Sequence, residues 1–548
     1  MEPRPEPPRR LAYRFDLRQP GRVHVSLETP SPAAGAEMLD LPSQWAEARD
    51  LQRSIENLKI TGSEVSLEPT SRLARFTLKA KPGTLVRVDY DLVQDWTGPL
   101  RASERHRVLI GPELVEFNGD TGLVAPKMET TAAVQVSFDF VNLPARHVLV
   151  TSFGTDTHQT VNGPWGEVAN ALFVAGELST RQIPLPGGPV LLATAGHWSF
   201  SDQELALKLR AILAAEREFW RTSGSSWYAV VLAPYGTGTT GGGGSAFTHA
   251  FSLFLAPSEH IGPETESLVA HEAFHAWNPA NLGTVADTQR LAWFVEGFTT
   301  FYQDVLLERG HLIDQEMYVR RLNVILRDLF GSPTSMGTPG LEVRSPLDDE
   351  ETRYRAPYLR GAVIALWLNG EIVRQSGGRW SLDDLMRGLL AEHGEALTAD
   401  RIYATAGRFV RPATVAAFRS MVDDGTAQIQ LPEGSVGPCL SMHSKQAWSY
   451  VLGVPASQLT TRAILHDVDR EGPAFRAGVR DGQMLLGWSL WRGDADHEVA
   501  LEIRELGSSA VRTITYLPRG RLRMVPQAEV SPECAQGLRG GEVGGAGC

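Results

Sequence analysis

Strict alternation of apolar and polar residues marks the amino-terminal part of the chain. A period of two is typical of strands that bury one face. Three segments show it clearly, with apolar positions at Val23, Val25 and Leu27; Val86, Val88, Tyr90 and Leu92; and Val134, Val136, Phe138 and Phe140. Several such strands, separated by Pro- and Gly-containing stretches, predict a β-sandwich-like domain over residues 1–175.

The pattern changes near residue 200. Ser201 and Glu204 form a capping box that predicts the start of a helix. A short apolar strand is predicted at 227–232, and the glycine-rich stretch 236–244 after it is too flexible to form a helix. Helical periodicity then dominates from about 263 to 430. These features predict a second domain that mixes strands and helices.

Strand patterns return from about residue 440 and predict a third domain over 437–525. The last segment, 526–548, has the glycine-rich composition of a mobile tail. With the β-domain at 1–175 and a mixed domain at 176–436, the sequence predicts a multidomain α+β protein.

Composition excludes several classes of protein. The chain has 548 residues, of which 42% are hydrophobic and 21% charged, as in folded proteins. A net charge of −12 disfavours non-specific binding to nucleic acid. No apolar run is long enough to predict a membrane span. The amino terminus lacks the apolar core of a secretory signal, so we expect a cytoplasmic protein, or a periplasmic or secreted one if a signal was removed.

The three cysteines are too few for a disulfide-built scaffold, and no CxxC spacing indicates a thiolate zinc site. Cys439 and Cys534 flank the predicted third domain. Two interpretations are open. Both can be free thiols, or they can form a bridge, which would imply an oxidising compartment.

An HExxH motif stands at His271, Glu272 and His275. No helix breaker occurs between 265 and 270, so we expect the motif in the middle of a helix. Residues four apart lie on one helical face. Both imidazoles could therefore bind one zinc ion at about 2.0–2.1 Å. Glu272 could take a proton from metal-bound water and deliver it to a leaving amine.

A third ligand is predicted downstream, at Glu296. Twenty residues separate His275 from Glu296, enough for a turn and a second helix that returns to the first. Glu296 lies among apolar and aromatic residues, where a carboxylate is costly unless it is paired or bound to metal. Two histidines and a glutamate leave the fourth position open, as in a catalytic zinc site with one ion per chain.

The segments HEAFHAWN and WFVEGFTTFYQD resemble the glycyl aminopeptidase family of gluzincin metallopeptidases. That family joins an N-terminal β-domain to a thermolysin-like catalytic domain and commonly a C-terminal PDZ domain. The resemblance implies zinc ligands at His271, His275 and Glu296 and a general base at Glu272. It also implies a zinc-dependent, aminopeptidase-like enzyme that hydrolyses peptide or protein substrates.

A further segment, Pro357–Gly361, opens an apolar helix 62 residues after Glu296 and resembles the family's Tyr-x-Lys-Gly segment. The resemblance implies that the Tyr358 hydroxyl binds the oxyanion, and a phenol is a suitable neutral donor for that role. The alternative is that Tyr358 is an ordinary residue at a helix start. Tyr354 is then the second choice for the role.

The glycine-rich stretch also has a family counterpart, a Gly-Gly-Leu-Glu-His run on the edge strand beside the zinc. By position it falls on Ser245–His249, where His249 matches and Thr248 replaces the glutamate. That glutamate can anchor a substrate's amino group, so its absence predicts relaxed recognition of free amino termini. His249 can equally be an ordinary edge-strand side chain.

The third domain resembles a bacterial PDZ domain at residues 472–482, although Gln483 replaces the usual aspartate. Tyr450–Val454 falls where such domains place the carboxylate-binding loop and the strand that pairs with a peptide. Peptide C-termini could bind there by strand addition. Alternatively, the domain only packs against the catalytic domain.

A rival function is a non-catalytic peptide-binding protein that uses the PDZ-like and β-domains, with the zinc structural or absent. The intact HExxH motif and Glu296 favour the zinc peptidase.

Overall fold

The computed structural model describes residues 8–46, 48–67, 75–98, 100–101, 104–222, 225–236, 241–285, 288–331, 350–424, 429–432, 435–437, 439–455, 458–459, 463–491 and 493–531. The chain forms two compact units, one of residues 1–210 and 222–276 and the other of residues 211–221 and 277–548. Over the described residues, no helix has the length and apolar character needed to span a membrane.

The first unit consists mainly of strands. Its elements, including a third helix that ends in the second unit, are β1 Arg9–Asp16, β2 Arg22–Pro30, β3 Ala36–Asp40, β4 Gln44–Trp45, β5 Ala48–Arg49, β6 Ile55–Thr61, β7 Glu64–Leu67, β8 Arg75–Lys79, β9 Leu85–Val93, β10 Leu109–Ile110, β11 Leu114–Asn118, α1 Gly119–Gly122, β12 Ala125–Pro126, β13 Ala133–Val141, β14 Val148–Thr151, β15 His158–Pro164, α2 Trp165–Ala169, β16 Leu172–Gly176, β17 Leu178–Ile183, β18 Val190–Ala195, α3 Asp202–Trp220, β19 Ala229–Pro234, β20 Gly242–Phe247, β21 Ala250–Leu255 and α4 Pro263–Phe274.

The three strands predicted from alternation are confirmed as β2, β9 and β13. They belong to a six-stranded sheet of order β15-β13-β1-β2-β9-β6. The predicted apolar side chains are buried, and Leu39 of β3 and Phe117 of β11, from two four-stranded sheets, contribute to the same core. The alternating apolar positions therefore correspond to the strand faces that pack into one apolar core shared by these sheets.

A five-stranded sheet of order β17-β18-β19-β21-β20 follows in the chain. Strands β18, β19 and β21 run parallel and are almost wholly buried, whereas β20 is an antiparallel edge strand. The strand predicted at 227–232 is β19, two residues later. The predicted cap is also present, since the Ser201 hydroxyl accepts a hydrogen bond from the Glu204 amide at 3.1 Å.

The second unit begins with helices, as the periodicity predicts. Its elements are α5 Thr288–Arg309, α6 Gln315–Gly331, α7 Glu350–Ser376, α8 Leu382–Ala391, α9 Ala399–Ala406, α10 Pro412–Arg419, a π-helical turn Ser420–Asp424, β22 Leu440–Tyr450, α11 Pro473–Ala477, β23 Met484–Ser489, β24 Val499–Arg504, β25 Val511–Tyr516 and β26 Arg519–Val530.

The last strands form a ribbon and a small sheet. β22 and β26 pair along their length and pack on α6, where the Asn323 amide bonds both the carbonyl oxygen (2.9 Å) and the amide nitrogen (2.7 Å) of Ala528. β23, β24 and β25 form a three-stranded sheet over a separate apolar core. The ribbon is thus joined to the helices through specific polar contacts.

The peptide-pairing strand expected at Tyr450–Val454 does not form. β22 ends at Tyr450, and Gly453 has a left-handed backbone with φ of +81°. The Gly453 carbonyl accepts a hydrogen bond from the Asp469 amide, and a Cβ on Gly453 would stand 3.1 Å from that of Ala474. This segment therefore packs as a loop against the start of α11.

Cys439 is disulfide-bonded, so its interpretation as a free thiol is wrong. Cys534 and Cys548 lie outside the described residues. The bridged interpretation predicts an oxidising compartment, because disulfides persist there.

Candidate metal centre

The helix that carries the HExxH motif is α4. Pro263 occupies its first turn together with two acidic residues, an arrangement that favours a helix start. The helix ends at Phe274, so the prediction that the motif lies in mid-helix is wrong. Turns follow at 276–282, and Pro279 cannot continue a helix. His275 nevertheless keeps helical dihedrals (φ −63°, ψ −16°), which preserves its four-residue spacing from His271.

The two histidines converge through their Nε2 atoms, which lie 3.3 Å apart with the ring planes at 85°. Two nitrogen ligands at 2.0–2.1 Å from a tetrahedral zinc would be about 3.3–3.4 Å apart. Ligand atoms of His271, His275 and Glu296 all lie within 4.8 Å of one another. The structure therefore brings together the three predicted ligands, and their donor set and spacing fit zinc.

Glu296 lies on α5, which crosses α7 at a point where two glycines meet. A Cβ on Gly297 would be 2.6 Å from the Gly361 carbonyl carbon and 2.8 Å from the Pro357 oxygen. A Cβ on Gly361 would stand 2.7 Å from the Gly297 Cα. Neither position accommodates a side chain, so the close crossing of the two helices depends on glycine at both.

Tyr358 lies on α7, three residues before Gly361 at this crossing, and is half-buried. The helix begins at Glu350, so the prediction that Pro357 opens it is wrong. Proline signals a helix start because it cannot donate a backbone hydrogen bond, but here it lies inside α7. Tyr354, the second choice, is on the same helix with its side chain outside the described part of the chain.

Glu272 is 7% exposed and lies against the edge strand of the five-stranded sheet. A Cβ on Gly244 of β20 would stand 2.7 Å from both Cδ and Oε1 of Glu272. The strand therefore passes this carboxylate at a distance that only glycine allows. Neighbouring positions on the same face of β20 are Gly242 and Ala246, because side chains alternate along a strand.

Thr248 and His249 do not lie on the edge strand beside Glu272, contrary to the prediction. β20 ends at Phe247, and Thr248 and His249 form the hairpin turn to β21, with His249 at φ +50°. The Thr248 amide donates to the Asn170 carbonyl at 2.9 Å. Burial lowers the pKa of His249. These two residues are thus part of the turn that anchors the hairpin.

Sequence reasoning missed the three glycines that shape this region, Gly244, Gly297 and Gly361. A glycine inside a helical pattern signals close packing. Both helix glycines carry that signal, whereas Gly244 is hidden in a run of four glycines.

Comparison with known proteins agrees with the motif. Residues 264–346 match the sequence model of the M61 glycyl aminopeptidase family, and this segment contains the HExxH motif and Glu296. Comparison with curated protein sequences finds no match to this chain.

Solved structures share the fold. An aminopeptidase N family protein from Idiomarina loihiensis superposes with a TM-score of 0.69 at 16% identity, over 96% of this chain and 99% of that one. The M1 zinc metallopeptidase from Deinococcus radiodurans gives 0.50 at 16% identity, over 77% and 95%. A variant of the latter bound to a Tyr-Ser-Ala substrate gives the same values.

The resemblance to the gluzincin glycyl aminopeptidase family is therefore confirmed by the match to the M61 family model, and the fold is shared with an aminopeptidase N family protein and an M1 zinc metallopeptidase. The predicted multidomain arrangement of sheets and helices is also confirmed. These findings support the coarser functional prediction, an aminopeptidase-like zinc peptidase.

Proposed function

We propose that this chain is a zinc-dependent peptidase whose metal is held by His271, His275 and Glu296. The observation that carries the proposal is the convergence of the three ligand atoms within 4.8 Å, with the two histidine nitrogens at the separation that tetrahedral zinc requires. Three protein ligands leave a coordination position for water, which is the arrangement of catalytic sites.

Zinc in such a site supplies Lewis acidity and lowers the pKa of a bound water. Glu272 serves as the general base that accepts the proton and later returns it to the leaving amine. Its confinement against Gly244 limits the orientations of its carboxylate. Tyr358 donates a hydrogen bond to the oxyanion that develops on the substrate carbonyl. These roles make peptide-bond hydrolysis the best-supported reaction.

The proposed substrate is an extended peptide that pairs with β20. This strand is the edge of its sheet and passes Glu272, so a peptide added by strand pairing would run past the general base. We assign β20 the role that the family gives to its glycine-rich edge strand. Because its Glu272 face carries Gly242, Gly244 and Ala246, we propose an aminopeptidase-like enzyme with relaxed recognition of the amino terminus.

The finer domain assignment is part of the proposal. We keep the β-sandwich-like domain at 1–175, the thermolysin-like catalytic domain at 176–436 and the PDZ-like domain at 437–525. The tail predicted at 526–548 is wrong for its first residues, because 526–530 belong to β26 and pair with β22, and residues 532–548 lie outside the described part of the chain. Strand β26 starts inside the PDZ-like domain and continues past it to Ala528, whose bonds to Asn323 on α6 favour packing as the role of this domain. The disulfide at Cys439 favours the periplasmic or secreted alternative over the cytoplasmic one.

The test combines metal analysis with peptide hydrolysis on the purified chain. We expect one zinc per chain, lost in His271→Ala and Glu296→Ala. Glu272→Gln should keep the metal but lose nearly all turnover, because it removes a base and not a ligand. Glu264→Gln, an exposed position on the same helix, is the matched control and should change neither. Full activity in Glu272→Gln would contradict the mechanism, and peptide binding without hydrolysis by the wild type would favour the rival function.

A further inference from the structure

Asn278 is wholly buried three residues after His275 in the chain. Its Nδ2 lies 3.2 Å from each of three acceptors, the carbonyl oxygens of Phe294 and Val295 and the hydroxyl of Thr299. These acceptors precede Glu296 by two residues and one residue and follow it by three. The Asn278 amide therefore forms hydrogen bonds to the single helical turn of α5 that contains Glu296.

The same turn is tightened by its own hydroxyl groups. Thr299 donates to the Val295 carbonyl at 2.6 Å, and Thr300 donates to the Glu296 carbonyl at 2.8 Å. Thr299 thus gives its proton to the helix and offers its oxygen to Asn278. On the same turn, Gly297 meets Gly361, and that contact leaves no room for a side chain. The turn is therefore constrained both by Asn278 and by the helix crossing.

We propose that Asn278 is a positioning residue for the zinc site, which fixes Glu296 relative to the chain segment that follows His275. The inference rests on the proposed zinc ligands. A side-chain amide suits this role because it is a neutral donor with two N–H groups. Its Nδ2 donates to three acceptors, and a buried donor with this geometry holds its partners without adding charge next to the carboxylate. Groups that orient metal ligands commonly contribute 10- to 100-fold to metal affinity.

The test is the zinc affinity of the full chain, measured by competition with a chelator at fixed pH. Asn278→Asp has the same shape but replaces the donor with an acceptor among three acceptor oxygens. We expect its zinc dissociation constant to rise roughly 10-fold or more. Asn278→Ser keeps one hydroxyl donor and should fall between this variant and the wild type. If the aspartate variant does not fold, the serine variant decides the question.

Asn323→Asp is the matched control. It makes the same chemical change at another amide that bonds backbone groups, those of Ala528. It should lower the melting temperature and leave the zinc dissociation constant unchanged. Unchanged zinc affinity in folded Asn278 variants would overturn the inference, as would an equal loss of affinity in Asn323→Asp, which would reveal a general effect of stability. A wild type that binds no zinc would instead refute the proposed function.

Discussion

Gly244 and Glu272 are 28 positions apart in sequence but in contact in the fold. The Gly244 backbone lies so close to the Glu272 carboxylate that a Cβ on Gly244 would have no space. The hypothetical Cβ would be 2.7 Å from Cδ and from Oε1 of Glu272, well inside van der Waals contact. Glu272 is itself buried, at 7% exposure. The edge strand thus forms one wall of the space that the proposed base occupies.

Gly244→Ala should therefore displace the Glu272 carboxylate. We expect kcat to fall on the order of 100-fold, the loss that a misplacement of about 1 Å can cause. Zinc content should stay at one per chain because no ligand changes. Gly262→Ala is the control, since a Cβ there has no neighbour within 4 Å. Wild-type turnover in Gly244→Ala would show that Glu272 tolerates movement or is not the base.

Tyr358→Phe tests the proposed oxyanion donor. Loss of one such donor costs about 10²–10³ in kcat. KM should change little, because the hydrogen bond forms mainly in the transition state. Steady-state kinetics and thermal melting of the same preparation provide the measurement. A lower melting temperature with normal kinetics of the folded fraction would assign Tyr358 a structural role and return Tyr354 to consideration.

The candidate metal ligands and the strands could be predicted because their signals are local. His271 and His275 meet through four-residue spacing on one helix, and the alternation of β13 reports burial residue by residue. The hairpin register of β20 could not be predicted in this way. His249 adopts a left-handed backbone, for which asparagine or glycine is the usual signal in a hairpin turn, so the sequence alone places this turn within the strand.

The contacts that complete the site join residues far apart in sequence. Gly244 meets Glu272, Gly297 meets Gly361, and Asn278 bonds the turn around Glu296. No periodic pattern encodes such pairs, because each depends on how two elements pack. A polar side chain in an apolar segment or a glycine within an element indicates close packing at that position, but it does not identify the residue that packs against it.

Recognition of the amino terminus is tested by Ala246→Glu. Ala246 lies two residues beyond Gly244 on the face of β20 that meets Glu272, so a glutamate there would add a carboxylate to this face. A charge-assisted hydrogen bond to an ammonium group contributes about 1.5–3 kcal/mol. We therefore expect kcat/KM for a free peptide over its acetylated form to rise about 10- to 100-fold.

Thr248→Glu is the matched control for Ala246→Glu. Thr248 lies in the hairpin turn, where its amide bonds Asn170, and a carboxylate at this position should leave the ratio unchanged. An increase in Thr248→Glu but not in Ala246→Glu would restore the register expected from sequence. A wild-type ratio in the thousands would mean that another carboxylate already holds the amine.

The bond between the ribbon and α6 is tested by Asn323→Ala. This change leaves the buried N–H and C=O of Ala528 without the partners that Asn323 supplies. Each unsatisfied group costs about 1–3 kcal/mol, so the free energy of unfolding should fall by about 2–6 kcal/mol. Urea unfolding of the full chain measures it. A loss below about 0.5 kcal/mol would indicate that the ribbon is only loosely associated with the helices.

The stability of the first unit should depend on pH through Glu116. This residue is 6% exposed and accepts a hydrogen bond from the Ser252 hydroxyl at 2.6 Å, and burial raises its pKa to about 7 from the usual 4.5. The folded state therefore holds the proton where the unfolded state has lost it. The stabilising effect of the neutral acid is complete below pH 4.5 and is lost as the pH rises through 7.

Glu116→Gln stays neutral throughout. Its free energy of unfolding should therefore match that of the wild type near pH 4.5 and exceed it at pH 8 by at most roughly 3 kcal/mol. Urea unfolding at both pH values gives the comparison, with exposed Glu113→Gln as the control. A difference between Glu116→Gln and the wild type that is the same at both pH values would show that folding does not raise the pKa of Glu116.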